Sequence, residues 1–234
     1  MINYRENFKH SLDYIEKLIS TPNQVKDIAI SGLKDIDFSS LKNTENVKIN
    51  NLIKCIDNIS SSTLKREYSI IYNQSCILAV SALESTIEKY FINNINSNWK
   101  KLNLCDEKIK LSLKELSEYE FNIKPNLGEI ILNKSDFINF QDLQSIIRTF
   151  KEYFDKNINL NIETKNDVIL YQQIRHVLAH KNEIIDEEFL KKTKELKHGY
   201  TKSDKVKLDN KDWENIKVSF YNLIDSIVKT EDIK

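Results

Sequence analysis

Turn-forming residues are scarce in this sequence. The chain of 234 residues has three glycines and two prolines. A sheet protein needs tight turns at short intervals, and those turns draw on glycine and proline. Collagen-like and low-complexity chains are excluded by the same shortage. Because the length suits one domain, the composition predicts a single all-helical domain over residues 1–234.

The sequence also lacks a disulfide framework, an export signal and a membrane span. Its three cysteines, Cys55, Cys76 and Cys105, are odd in number and lack metal-ligand spacing. That usage is typical of reduced packing residues in a cytoplasmic protein. The N-terminus is charged throughout, and no stretch approaches the roughly 18 uncharged residues that a bilayer span requires. We therefore expect a cytoplasmic protein with no membrane partner.

An excess charge of either sign is absent as well. The 35 basic and 35 acidic side chains sum to zero. Bulk electrostatics therefore cannot bring the protein to nucleic acid, and any RNA contact has to come from a local patch. Residues 191–217 hold nine lysines against five acids. This segment fits RNA docking and a solvated flexible loop equally well.

Helical periodicity is what the sequence has in abundance. A long apolar helix without a breaker is predicted over residues 65–96, at the centre of the core. Residues 1–64 are predicted to form an N-terminal helical extension, with one helix over residues 3–20 and shorter helices and loops after Pro22. Residues 65–230 form the predicted core, with further helices over residues 139–154, 164–180 and 186–197 and from about residue 211. Val206 and Leu208 alternate in the manner of one very short strand or hairpin before the last helix.

Histidine is rare, yet two of the four histidines lie together in the sequence IRHVLAHKNEIIDEEF. On a helix that turns about 100° per residue, we take the direction of Arg175 as zero. His176 then falls at roughly 100°, Ala179 at roughly 40° and His180 at roughly 140°. The apolar neighbours fall on the opposite side. The helix is therefore predicted to present a guanidinium and two imidazoles on one open face.

These side chains suit the cleavage of RNA without a metal ion. A guanidinium is a permanent donor for phosphate oxygens, and imidazole is the side chain best suited to move protons near neutral pH. In RNA the ribose 2′-hydroxyl must lose a proton to attack the adjacent phosphorus, and the resulting phosphorane must be stabilised. DNA lacks this hydroxyl and would be spared.

The segment RHVLAHKNEIIDEEFL resembles the motif region of the HEPN ribonucleases, whose signature is Arg, four residues, then His. The similarity extends to ILAVSALESTIEKY on the long helix, to KVKLDN and to the final amphipathic helix. It implies an all-α HEPN-like bundle with a long central helix, in which two subunits pair so that both motifs line one cleft. The similarity also implies that Arg175 holds the scissile phosphate and that His180 transfers protons.

By the same resemblance His176 occupies the position of a polar orienting residue, and Glu84 matches an acidic residue of the long helix in some relatives. The implied protein is a metal-independent endoribonuclease without a cofactor, acting as a toxin or as an antiviral-defence (abortive infection) effector. Its partners would be RNA, a second copy of the chain, and an antitoxin or sensor protein. The tyrosine that some nucleotidyltransferase antitoxins modify does not follow His180, so that pairing is not expected.

The sequence also contains a second copy of the motif spacing, and it leaves two other interpretations of the motif helix open. Arg5 and His10 repeat the Arg-x4-His spacing, which we interpret as an accident of a solvated helix face. The motif helix could serve a non-catalytic binding or regulatory module. His176 and His180, one turn apart, could also ligate a metal in a hydrolase. Such an enzyme normally needs a third ligand, and Val177 stands where a Glu general base would be expected.

Overall fold

The structure is a computed structural model that describes residues 2–34, 48, 51, 54, 64–98, 109–136 and 138–228. Within these residues it contains α-helices and one short 3-10 turn, Lys124–Asn126, and no strand, so the all-α prediction is confirmed. The helices are α1 (Tyr4–Lys34), α2 (Leu64–Asn98), α3 (Leu113–Glu118), α4 (Leu127–Lys134), α5 (Leu143–Phe154), α6 (Ile162–His180), α7 (Glu187–Lys192) and α8 (Asn210–Val228).

The four long helices α1, α2, α6 and α8 form the body of the molecule. Both α1 and α6 pack against α2 and α8, and α2 also packs against α8. No substantial contact joins α1 to α6 in the described part of the chain, so these two helices lie at opposite corners of the four-helix arrangement. The central position of α2, predicted from its apolar content, follows from its contacts with α1, α4, α6 and α8.

Burial follows the helical periodicity of the sequence. On α2 the side chains of Leu83, Ile87, Phe91 and Ile95 are fully buried at four-residue steps. The predicted inner face of α8 is also confirmed, because its six members are at most 2% exposed: Trp213, Ile216, Phe220, Leu223, Ile224 and Ile227. One stripe of each helix faces a shared core, as expected for amphipathic helices in a bundle.

The first helix continues beyond its predicted end. Pro22 was expected to begin a region of loops and shorter helices, but α1 runs through it to Lys34. Proline deprives the carbonyl four residues earlier of its partner. Pro22 and Leu18 both lie on the exposed side of α1, so water can hydrate the carbonyl of Leu18. The remainder of the predicted loop region, residues 35–63, lies outside the described residues except for residues 48, 51 and 54.

Pro125 and Gly128 lie at the start of a new helical segment, after α3 has ended at Glu118. Pro125 lies in the 3-10 turn, and Gly128 lies in the first turn of α4. A Cβ atom at Gly128 would approach the backbone Cα and O of Ile92 to 2.6 Å, and the Gly128 N–H donates to Asn96 Oδ1 over 2.8 Å. Gly128 therefore allows two helices to pack closely, a role that is not apparent when glycine is treated only as a residue that ends helices.

Helix α5 begins later than predicted, and helix α6 begins earlier than predicted. Helix α5 begins at Leu143 rather than near residue 139, because Asp142 caps it. Helix α6 is capped by Asn161, whose Oδ1 accepts from the Thr164 N–H over 2.7 Å, so the helix begins before the predicted residue 164. The predicted polar loop before α6 is confirmed. Within it the buried ammonium of Lys156 donates to the carbonyl of Ile227 in the last turn of α8.

The segment before α8 is extended. Ile184 and Lys205 form an isolated antiparallel bridge, which takes the place of the predicted very short strand or hairpin. Val206 and Leu208 are buried while Lys207 between them is exposed, so the predicted alternation is confirmed. The helix expected over residues 186–197 is limited to α7. None of the described helices has the length and apolar content needed to cross a bilayer.

Candidate active site

The site predicted from the sequence lies on the last two turns of α6. Ile174 and Val177 are 1% exposed and Leu178 is 8% exposed, so the predicted inner face is confirmed. Arg175 and His176 are half-buried, while Ala179 and His180 are exposed. The arc that was expected to carry the polar groups therefore emerges at the surface at the C-terminal end of the helix.

The chain reverses sharply after His180. The N–H of Lys181 donates to the carbonyl of Val177 over 3.0 Å, and Asn182 and Glu183 take positive φ values of 52° and 66°. Left-handed residues of this kind commonly end helices. The reversal leads into the bridge at Ile184 and returns α7 to pack against the end of α6. The neighbours of the histidines therefore come from α7.

Ion pairs formed by Lys181 and by α7 act on His176. The Lys181 ammonium lies 3.1 Å from the Asp186 carboxylate, and the Lys192 ammonium lies 2.9 Å from Glu188. Burial lowers the pKa of His176, and the charges of His180, Lys192 and Lys181 lower it further, against an opposing effect of Glu188. His176 is therefore held in its neutral form at neutral pH, in which one ring nitrogen accepts and the other donates.

The two imidazoles adjoin each other. The ring centroids of His176 and His180 are 5.1 Å apart, and the ring planes are inclined by 52°. The four-residue spacing on α6 produces this contact. The exposed methyl group of Ala179 leaves space beside them.

Arg175 lies deeper than the histidines and has an unsatisfied donor. Its buried Nε has no hydrogen-bond partner in the described part of the chain, and the same holds for the buried Oε1 of Glu84 on α2. Burial raises the pKa of Glu84, the positive charge of Arg175 lowers it, and Glu88 raises it. The structure thus brings Glu84 within electrostatic reach of Arg175, without an ion pair between these two described residues.

Gln172 is a neighbour of the site that the sequence analysis missed. Its side chain is 4% exposed, and its Oε1 accepts from the Leu143 N–H at the start of α5 over 3.1 Å. Its buried Nε2 has no partner within the described residues. Gln172 precedes Arg175 by three residues and His176 by four. This spacing places it on the same side of α6, and it was the sequence signal that could have identified Gln172. Two buried donors, on Gln172 and Arg175, therefore lie three residues apart on α6 and have no acceptor among the described residues.

A polar cavity of about 450 Å³ lies at the other end of α6. Its lining includes Asn161 and Thr164 from α6 and Asn222 from α8. None of the predicted site residues borders it. The candidate site is thus a surface arc and not this cavity.

The described residues contain no group of three or more His, Cys, Asp or Glu side chains that could hold a metal ion. The lysine-rich segment is also partly neutralised, because Lys202 pairs with Glu187 and Lys205 lies 2.9 Å from Glu183.

Comparison of the chain with models of known protein families, with curated proteins and with solved structures finds no match.

Proposed function

We propose that the protein is a metal-independent endoribonuclease of the HEPN type. The observation that carries the proposal is the joint placement of Arg175, His176 and His180 on one accessible arc of α6, with an arginine that has no carboxylate partner within the described residues. A phosphate group at this surface would accept hydrogen bonds from the guanidinium of Arg175.

Each residue has a distinct role in this reaction. Arg175 binds the scissile phosphate and stabilises the charge of the phosphorane. His180 is exposed and takes the proton of the 2′-hydroxyl or returns one to the leaving 5′-oxygen. His176, kept neutral by burial and by nearby cations, orients the His180 ring or the phosphate. Glu84 acts through Arg175, as a positioning residue that limits where the guanidinium lies.

One motif supplies too few groups for both proton transfers and phosphate binding. A homodimer that apposes two copies of the exposed end of α6 would supply two sets across a two-fold axis. We therefore propose RNA and a second copy as partners, with an antitoxin or sensor protein controlling a cytoplasmic toxin or defence effector. Light scattering of the purified chain at micromolar concentration would contradict the dimer by giving the mass of a monomer.

The products of the reaction test the mechanism. Attack by the 2′-hydroxyl leaves a 2′,3′-cyclic phosphate on the 5′ fragment and a free 5′-hydroxyl on the 3′ fragment, whereas a metal-activated water typically leaves a 5′-phosphate. Purified protein is incubated with mixed cellular RNA, with and without chelator. We expect cleavage in both, and 3′ fragments that polynucleotide kinase labels without prior dephosphorylation. Loss of cleavage on chelation, or fragments that resist labelling, would overturn the mechanism.

A binding or regulatory module without chemistry is the alternative. The ion pairs of Lys181 with Asp186 and of Lys192 with Glu188 favour it, because they weaken the positive field beside the histidines. In that case RNA or a protein partner would bind the α6–α7 surface and no RNA would be cut. RNA that stays intact while a gel-shift assay shows binding sensitive to Arg175→Ala would select this alternative.

A further inference from the structure

The distance between the two histidine rings suits a second function besides acid–base chemistry. A tetrahedral zinc ion holds each imidazole nitrogen at about 2.0–2.1 Å, and this places the centres of two ligating rings about 5.2 Å apart. The rings of His176 and His180 already lie 5.1 Å apart. Two ligating imidazoles would therefore require no change in ring separation.

We propose that His176 and His180 form a two-histidine site for zinc or a similar transition-metal cation. Imidazole is a preferred ligand of these cations, and the i,i+4 spacing on α6 fixes both rings on one rigid helix. His180 is exposed and His176 is half-buried, so the cation can enter from solvent. Glu188 adds negative charge near His176 while Lys192 and Lys181 add positive charge there, so the two imidazoles have to supply the affinity for the cation.

The site differs from a structural zinc centre. A structural centre has four protein ligands, whereas the described residues offer no third His, Cys, Asp or Glu in position here. Water would complete the coordination sphere, so the cation would exchange with solvent. Reversible occupancy of this kind suits regulation and not folding.

The consequence for activity rests on the proposed nuclease function. A coordinated imidazole nitrogen has donated its lone pair to the metal and can no longer accept the proton of a 2′-hydroxyl. Bound zinc would therefore inhibit the proposed reaction at the same residues that perform it. At a free zinc concentration ten times the dissociation constant, activity should fall about tenfold by mass action.

Binding is tested first, without reference to activity. The full chain carrying Cys55→Ser and Cys105→Ser, which removes two competing thiols, is titrated with zinc by calorimetry. We expect one cation per chain, and loss of that binding in His176→Ala and in His180→Ala. His198→Ala is the matched control, because its ring packs against Phe189 and Tyr200 away from the pair and should leave binding unchanged. Binding that survives both substitutions on α6 would overturn the site.

Activity is measured second, on mixed RNA with zinc and then with added chelator. Inhibition that the chelator reverses supports the regulatory role. Activity that rises with zinc overturns inhibition and favours a metal-dependent hydrolase. Zinc binding at the pair in a protein that cuts no RNA overturns the nuclease function while supporting the cation site, so the two failures are distinguishable.

Discussion

Two helices carry the same Arg-x4-His spacing and differ in the carboxylates around it. Arg5 and His10 lie on α1, and Arg175 and His180 lie on α6, at opposite corners of the four-helix arrangement. On α1 the arginine forms an ion pair with Asp225 of α8. His10 lies 3.6 Å from Glu6 and 4.0 Å from Asp13. Both basic side chains of the first copy therefore already have a carboxylate neighbour.

The second copy lacks these partners. Among the described residues Arg175 forms no ion pair with a carboxylate, and His180 lies beside another imidazole. The buried Nε atom has no partner there in either arginine, so the ion pair is the difference between them. Spacing alone places an arginine and a histidine on one helix face in both copies. Carboxylates from the same helix and from its neighbours decide whether the basic side chains form ion pairs within the protein or stay available to bind a ligand. Substitutions in either copy of the motif can test this comparison.

The largest expected effect is the loss of RNA cleavage in Arg175→Ala and in His180→Ala. Removal of a phosphate-binding cation or of a general base should each reduce the rate by about 10²–10⁴-fold. The measurement is the initial rate of cleavage on a defined RNA. Helix content and the melting temperature should stay close to those of the parent, because truncation at this surface creates no large core cavity.

His10→Ala is the matched control for the first copy. It should cut RNA at the parental rate, because His10 lies on the opposite corner of the molecule. Equal loss of activity in His10→Ala and His180→Ala would show that the spacing and not the surroundings defines the site.

A smaller effect is expected when the surroundings of α1 are transferred to α6. His176→Glu reproduces the Arg-Glu order of the first copy. The new carboxylate would compete with phosphate for Arg175, and we expect a loss of about 10- to 100-fold in cleavage rate. His176→Gln removes the imidazole without adding charge and separates the two causes. If both substitutions reduce the rate equally, added charge is not the reason.

The reverse experiment concerns stability. The side chains of Arg5 and Asp225 are 30% and 20% exposed, between an exposed ion pair and a buried one. Arg5→Ala should lower the free energy of unfolding by about 1–2 kcal/mol, measured by urea denaturation, and should leave RNA cleavage unchanged. A double-mutant cycle with Asp225→Asn isolates the pair. A coupling energy near zero would refute the structural role of the first copy.

The smallest effect is a pH dependence from Glu84. Because burial raises the pKa of Glu84 above its ordinary value of 4.5, the folded protein binds more protons than the unfolded chain between the two pKa values. Stability from this group is therefore lost as pH rises from about 4.5 through the folded pKa. Glu84→Gln should flatten that part of the stability curve by less than about 1 kcal/mol, because solvent screens the half-exposed carboxylate.

Arg175→Ala should act in the opposite direction on the same curve. Without the guanidinium the pKa of Glu84 rises further, so stability falls more steeply with pH. Denaturation midpoints between pH 4 and pH 7 measure both variants. An unchanged curve in Arg175→Ala would show that Glu84 does not sense the arginine.

Sequence periodicity predicted most of the four long helices. The inner face of α8 and the outward arc of α6 followed from the 3.6-residue repeat alone, because burial of a helix stripe is a local property. The common surface of Arg175, His176 and His180 followed in this way, and their catalytic role stays a prediction. The continuation of α1 through Pro22 and the packing of Gly128 against Ile92 did not follow, because they depend on which side of each residue another helix lies.

The surroundings of the site were also beyond the sequence. Lys192 and Glu188 reach His176 only because Asn182 and Glu183 take left-handed conformations that turn α7 back. Gln172 adjoins Arg175 while it holds the first turn of α5. Contacts of this kind join separate elements, and no repeat in a single segment encodes them.

The ion pair between Arg5 and Asp225 spans 220 positions of the chain. A ribosome adds about 5–20 residues per second, so about 10–40 s separate the synthesis of these two partners. Helix α1 lacks α8, against which it packs, for most of that interval, whereas α6 ends at His180 and is made only shortly before α8 begins at Asn210. Contacts this distant also close slowly. Helix α6 therefore gains the support of α8 only near the end of synthesis of these residues.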